Sequence, residues 1–484
     1  MNGAYLDLAR THAPLLAITL PLIGAALVAM AGAGRLSWLA ACAFALAAAA
    51  LTADMALRGA DVPVAELGAA LHADGVGVLA AALLAGVCAL VVIAAGAVFK
   101  ELPPRVALLA LALTLAVAGG WTGALMARDL IGMAVAIETA WLAAIGLVAL
   151  SAERDRGALN GALRMLASGG AAAALLLLGV AMVARAVGSI DLVALPIAQL
   201  SMPDLAGAGV VLIVLALALK AGVAPLHAWN AAALGRAGGH ALLGVGVLSV
   251  LGALCVLARF TAYAITAPQI GAGVSAALGA LGAASVVIGA LQAMGARTLP
   301  RMIGYAGASQ AGCILISIAL GSPAGFAAAL VQLFALAAAL LALYGGAAAG
   351  RIQALSMLDG LGQRAPLASA AMLAGALSLM GAPLTLGFLG RWTLVEAGVG
   401  AGWWWAAGLV IVASFAAVFY GGRLIERMYF RRAGAVFEGE TGGWRFALAP
   451  ALMAATIGIA MGLAPGALLR LAANAAAMIA GPAA

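Results

Sequence analysis

The sequence predicts an all-α polytopic membrane protein of about fourteen transmembrane helices, with the seventh and twelfth broken in mid-course. Three observations carry this reading. Hydrophobic residues make up 66% of the 484 positions and charged ones 8%, against roughly half and a quarter in soluble domains, and the mean hydropathy is +1.17. Apolar runs follow one another closely, separated by short stretches that hold the Arg, Asp, Glu and Pro; each is long enough for a hydrocarbon core that needs roughly 20 helical residues. The runs do not alternate in polarity as barrel strands do, so their backbone groups must be satisfied within helices.

In chain order the runs lie near 14–32, 36–57, 75–98, 105–126, 130–150, 161–186 and 205–235, then 241–262, 270–294, 301–321, 323–349, 366–398, 402–422 and 445–464. The first is read as a retained helix rather than a cleaved signal, because it is long and its flank weakly basic. "HAD" at 72–74 ends on Asp74, placed to cap the helix that follows. Pro225 in "GVAPL" interrupts the seventh run and Pro383 in "GAPL" the twelfth. Proline removes a helical donor and clashes with the preceding turn, which is tolerated at membrane depth only under cover of protein or water. Two such breaks, one in each half and each with a cation nearby, match transporters built from repeats with discontinuous helices. "GWWWAAG" at 402–408 suits an interfacial aromatic belt. "GAGVSA" at 271–276 opens a membrane helix with no strand before it, so its glycines are no dinucleotide site. "GALLRLAANAAAMIAG" near the C-terminus reads as a surface helix on the outer side.

Loops after odd-numbered runs hold sixteen basic residues, among them Lys100, Arg236, Arg301, Arg351, Arg364 and Arg445, whereas loops after even-numbered runs hold only Arg58, Arg128, Arg185 and Arg259. The odd loops are therefore cytoplasmic and both termini periplasmic. The formal charge of +7 follows from this topology; the arginines form no basic block, which excludes a nucleic-acid partner. Cys42, Cys88, Cys255 and Cys313 stand singly in apolar runs with no histidine near them in sequence. They read as packing residues, so no metal, iron–sulfur cluster or other cofactor is expected.

A Lys, Arg or Asp at the centre of a membrane helix costs roughly 2.5–3.5 kcal/mol on insertion scales, so each needs a partner, water or a function. Four candidates pass that filter: Glu138 in "MAVAIETAWLAA", Lys220 in "LALKAGVAPLHAW", His227 just beyond it, and Arg391 in "LTLGFLGRWTLVEAG". Glu138 and Lys220 fall at similar depth near mid-membrane. Pairing favours the charged forms of both and desolvation the neutral ones, which leaves the proton close to switchable. The plainer alternative is a buried ion pair that ties two helices together, although such pairs stabilise poorly.

These residues resemble a known family, the antiporter-like membrane subunits shared by respiratory complex I, Mrp-type sodium/proton antiporters and membrane-bound hydrogenases, and within it the branch of subunit N of bacterial NADH-quinone oxidoreductase. The resemblance spans roughly residues 70–465. It is carried by Glu138, "LKAGVAPLHAW", "RMIGYAGASQAGCILI", "GLGQRAPL", "LSLMGAPLTLGFLGRW" and "VASFAAVFYGGRLIERMYF". It implies one transmembrane domain in the bacterial inner membrane: N-terminal helices over 1–104, a five-helix repeat over 105–262, a second, inverted one over 270–422, and a C-terminal helix and tail over 445–484. It further implies a proton relay in which Glu138 and Lys220 are coupled, His227 lines the cytoplasmic route and Arg391 stands at the outlet. Partners would be other membrane subunits of a complex I-like or antiporter assembly and the lipid bilayer, with redox chemistry in those subunits and protons, or sodium, as the ion. The chain itself has no ligands for an electron carrier. Two departures stand out. Val250 and Leu251 occupy the place of a central lysine or histidine in the eighth helix, with His240 the nearest titratable group, and Arg391 replaces a lysine or glutamate and cannot pass a proton by its own titration. A cation/proton antiporter subunit and a non-conducting scaffold remain as alternatives.

Overall fold

Over the described residues the apolar runs are helical, and several of the helices start on a side-chain cap. The computed structural model describes residues 10–32, 34–58, 62–63, 71–96, 102–350, 352–432 and 444–477, with side chains left aside at 62–63 and 444–447. Lys100, Arg351 and the side chain of Arg445, which entered the orientation argument, lie outside these. In order come α1 (Ala13–Met30), α2 (Arg35–Arg58), α3 (Gly75–Ala94), α4 (Pro104–Met126), α5 (Leu130–Leu150), α6 (Ala158–Val187) and α7 (Pro203–Ala221). The short α8 (Ala228–Leu234) precedes α9 (Gly239–Ile265), α10 (Gly271–Gly295), α11 (Leu299–Ala319) and α12 (Pro323–Ala349). Then follow α13 (Pro366–Met380), α14 (Leu386–Gly400), α15 (Trp404–Ile425), α16 (Trp444–Leu463) and α17 (Gly466–Ala477). Asp74 caps α3 by accepting from the Gly77 N–H at 2.7 Å, and Asp129 caps α5 in the same way at Gly132.

Among the described residues, twelve helices are long and apolar enough to cross a membrane, or thirteen if the bent pair at the C-terminus counts as one. The difference from the expected fourteen lies in the twelfth run, which becomes two 15-residue helices, α13 and α14. Each is roughly 22 Å long by the rise of an α-helix, short of the hydrocarbon core. The C-terminal stretch is helical, as its pattern predicted, and α17 turns 84° from the helix before it.

At the centre stands α9, every residue of its most apolar window buried, with α3, α4, α7 and α12 among the helices packed on it. A π-turn over Gly244–Ser249 interrupts it. Outer helices approach one another through small residues: a Cβ on Gly179 of α6 would sit 2.6 Å from the Gly209 carbonyl of α7, and one on Gly282 of α10 would sit 2.8 Å from the Gly312 carbonyl of α11. Such contacts are how helices associate where burial of apolar surface gives no advantage over lipid.

One expectation is corrected. Arg259, placed by sequence in a periplasmic loop, is buried in the last turns of α9. Its Nε donates to Asp74 Oδ2 at 2.5 Å, and its Nη atoms donate to the carbonyls of Ala127 at 2.8 Å and His72 at 3.0 Å. The Tyr263 hydroxyl donates to the same Asp74 oxygen at 3.0 Å. The arginine ends an apolar run, which is why it read as a loop residue, and its partner lies 185 residues away.

Candidate functional site

Lys220 is the penultimate residue of α7, and the break beside it is built by backbone chemistry. Gly222 adopts φ +70°, where a side chain would be strained. Its N–H reaches Leu219 O at 3.1 Å and the Val223 N–H reaches Ala218 O at 2.9 Å, closing the last turn. The chain then turns through a cis Ala224–Pro225 bond before helix resumes at α8. Protein covers this gap: the Ala224 N–H donates to Ser285 Oγ of α10 at 2.9 Å, and that hydroxyl donates to Ala308 O of α11 at 2.7 Å. Trp229 Nε1 returns from α8 to Leu219 O at 2.7 Å.

The structure brings Lys220 and Glu138 together. Lys220 Nζ lies 2.9 Å from Glu138 Oε1, with the lysine side chain 0% exposed and the glutamate 30%. The amine also stands 4.6 Å above the ring of Trp141, a cation–π contact of the kind that gains strength when desolvated. Trp141 in turn meets Trp229 edge to face at 4.9 Å. Glu138 lies beside an outward stripe of α5 formed by Ile131, Val135 and Leu142, which are 49%, 63% and 58% exposed. A carboxylate bordering such a stripe at membrane depth calls for cover by protein.

His227 sits across the same break. Its Nε2 pairs with Gln292 Oε1, its ring stands edge to face with Tyr305 at 5.5 Å, and Nδ1 has no partner. It occupies the N-cap position of α8 without a side-chain capping bond, so capping does not explain it. Arg391 belongs to the other break. Gly381, at φ +74°, ends α13. Arg391 Nη1 donates to Met380 O at 2.5 Å and Ser414 Oγ at 2.7 Å, and Nη2 donates to Leu379 O. These are the last carbonyls of α13, where the helix dipole favours a cation. Gln310 Nε2 donates to the same Leu379 carbonyl at 3.2 Å.

Between the breaks, Val250 and Leu251 are buried beside Ser249, whose Oγ accepts from Trp121 Nε1 at 3.3 Å. His240, at the far end of α9, contacts Ser151 Oγ at 3.4 Å. Sequence reasoning passed over Gln292, Ser285, Gln310 and the Asp74–Arg259 pair. Neutral polar residues in apolar runs are common, and the only available signal was their placement on the helices that cover the breaks.

A bundle of long apolar helices with a broken span, and a lone amine paired to a carboxylate at the break, define an antiporter-like integral membrane subunit. The chain belongs to the family described as "NADH:quinone oxidoreductase/Mrp antiporter, TM", whose profile matches residues 127–417. It is 34% identical over 324 residues to NADH-quinone oxidoreductase subunit N of Cereibacter sphaeroides, covering 66% of this chain and 69% of that protein. It is 32% identical over 390 residues to subunit N of Rhodopseudomonas palustris, covering 80% and 81%. In fold it is similar to a chain of the Mrp complex from Dietzia sp., with a TM-score of 0.82, 23% identity and 98% of each chain covered.

Proposed function

We propose that this chain translocates protons within a complex I-like assembly of the bacterial inner membrane, through the Glu138–Lys220 pair, coupled to redox chemistry in partner subunits. The observation that carries this is the amine of Lys220, wholly shielded from solvent yet 2.9 Å from an acid and beside a helix break. A lysine that can lose its proton when the acid's charge is withdrawn is a carrier; an arginine is not. In this reading the Glu138 side of α5 is covered by a neighbouring membrane subunit, whose charge changes reach Lys220 through the acid. His227 lines the route from the cytoplasm, and Arg391 is a fixed positive charge at the outlet.

The fourteen spans follow if α13 and α14 together make one crossing and α16 another. That count puts both termini in the periplasm and divides the core into two inverted five-helix repeats, over 105–262 and 270–422. The matching geometry of the Gly222 and Gly381 breaks, each in the fourth span of its half, supports that division. The names of the relatives above 30% identity favour the oxidoreductase over a cation/proton antiporter.

The test is Lys220→Ala and Lys220→Arg in the gently purified assembly, reconstituted in liposomes with electron transfer and proton uptake measured together. Both variants assemble, and both lose coupled proton uptake. Wild-type uptake in either one would sink the carrier role.

A further inference from the structure

The second break holds a small polar site that the carrier pair does not use. Gln310, Gln332, Ser378, Leu379 and Gly387 surround a cavity of about 10 Å³, room for a single water by volume. Gln332 and Ser378 are 5% and 8% exposed, and Gln332 Oε1 and Ser378 Oγ have no protein partner. The direction of the Gln332 amide is set by its neighbour: Ser317 donates its hydroxyl hydrogen to Cys313 O at 3.1 Å, so it can only accept from Gln332 Nε2, at 2.6 Å. Gln332 Oε1 is thereby left as an acceptor, and the occupant must offer a donor. A bare cation suits the place badly, because the lining supplies no carboxylate and the Leu379 carbonyl is already shared by Gln310 and the Arg391 guanidinium. Arg391 is itself buried and makes no ion pair among the described residues.

We propose that the second break is a leak barrier: it binds one neutral water between Gln332 and Ser378, and the fixed charge of Arg391 keeps a hydrated proton out of that water. Barriers of this kind, a narrow neutral constriction beside a permanent cation, exclude protons in other pores. The barrier rests on the proposed proton store at Lys220: between turnovers it closes the outlet to passive return, and a pumped proton passes only when a charge change during turnover offsets that of Arg391.

Two measurements on the native assembly test it. A high-resolution map should show one water within hydrogen-bonding distance of Gln332 Oε1 and Ser378 Oγ, lost in Gln332→Leu. In liposomes under an imposed pH gradient and without electron donor, Arg391→Gln should raise passive proton leak on the order of tenfold or more, the scale of one poorly screened charge at a few ångströms. Gln310→Glu, which sets an acid beside the guanidinium and keeps the arginine in place, should raise it as well and serves if Arg391→Gln fails to assemble. An empty cavity, an ion ringed by short oxygen contacts, or wild-type leak in the variants that assemble would overturn the proposal. Lys220→Ala separates the two readings: it removes coupled uptake without raising leak, and should it pump normally the carrier role falls while the barrier still stands or falls on leak alone.

Discussion

The two breaks share a backbone and differ in chemistry. Each ends a helix on a glycine near φ +70° followed within three residues by a proline, and each has a loose backbone group taken up by a neighbouring helix: Ser285 accepts from the Ala224 N–H, and Gln310 donates to the Leu379 carbonyl. Aligned on those glycines, Lys220 corresponds to Leu379. Around Lys220 the polar contact is an acid and an amine; around Leu379 it is an amide, a backbone carbonyl and a guanidinium that holds its charge. The same architecture therefore hosts a titratable pair in one half and a fixed charge among neutral groups in the other. The break is a scaffold that frees helix-end groups inside the bundle, and on the proposed reading the side chain two residues before its glycine decides whether a proton can be kept there.

The comparison breaks most sharply at Glu138. Glu138→Gln leaves the Lys220 ammonium buried without its counter-charge, at a cost of roughly 3–5 kcal/mol if the charge stays. Thermal unfolding of the assembly should show a lowered transition for this subunit, and coupled proton uptake should vanish. Glu138→Gln combined with Lys220→Met should recover most of the stability and none of the uptake, which separates charge burial from transport. No single change at Leu379 or Gln310 should remove as much stability, since no ion pair is broken there.

Backbone changes should hit both halves alike. Gly222→Ala and Gly381→Ala each force a side chain into the left-handed region, at about 1–2 kcal/mol. The added Cβ would also meet Asn230 Nδ2 at 2.9 Å in the first case and Arg391 Nη1 at 2.7 Å in the second. Equal losses of thermal stability would sharpen the claim that the scaffolds are equivalent; a large inequality would blunt it. The smallest effect belongs to Trp229→Phe, which removes the 2.7 Å bond to Leu219 O and should cost about 0.5–1.5 kcal/mol with uptake retained.

Much of this was legible in the sequence because the membrane makes exceptions conspicuous. Lys220 and Glu138 could be paired on paper since few other ionisable residues sit deep in the apolar runs, and Gly-Pro inside a run announces a break. Less legible was whatever depends on contacts between distant segments. Arg259 looked like a loop residue because nothing near it in the chain reveals Asp74. Gln310 and Gln332 carry no hydropathy signal strong enough to single them out, and their meaning comes only from the carbonyls and cavity they face. The break in the twelfth run was legible from Pro383; that each half is only 15 residues, short of a span by itself, was not.

The Asp74–Arg259 bond bears on how the chain is made. With 185 residues between the partners, a ribosome adding about 5–20 residues per second delivers the arginine roughly 10–40 s after the aspartate. Over that interval the start of α3 has its helix cap but no counter-ion. The early helices thus reach the translocon before the element that locks them exists, and the central helix, made midway along the chain, ties them to the half that follows.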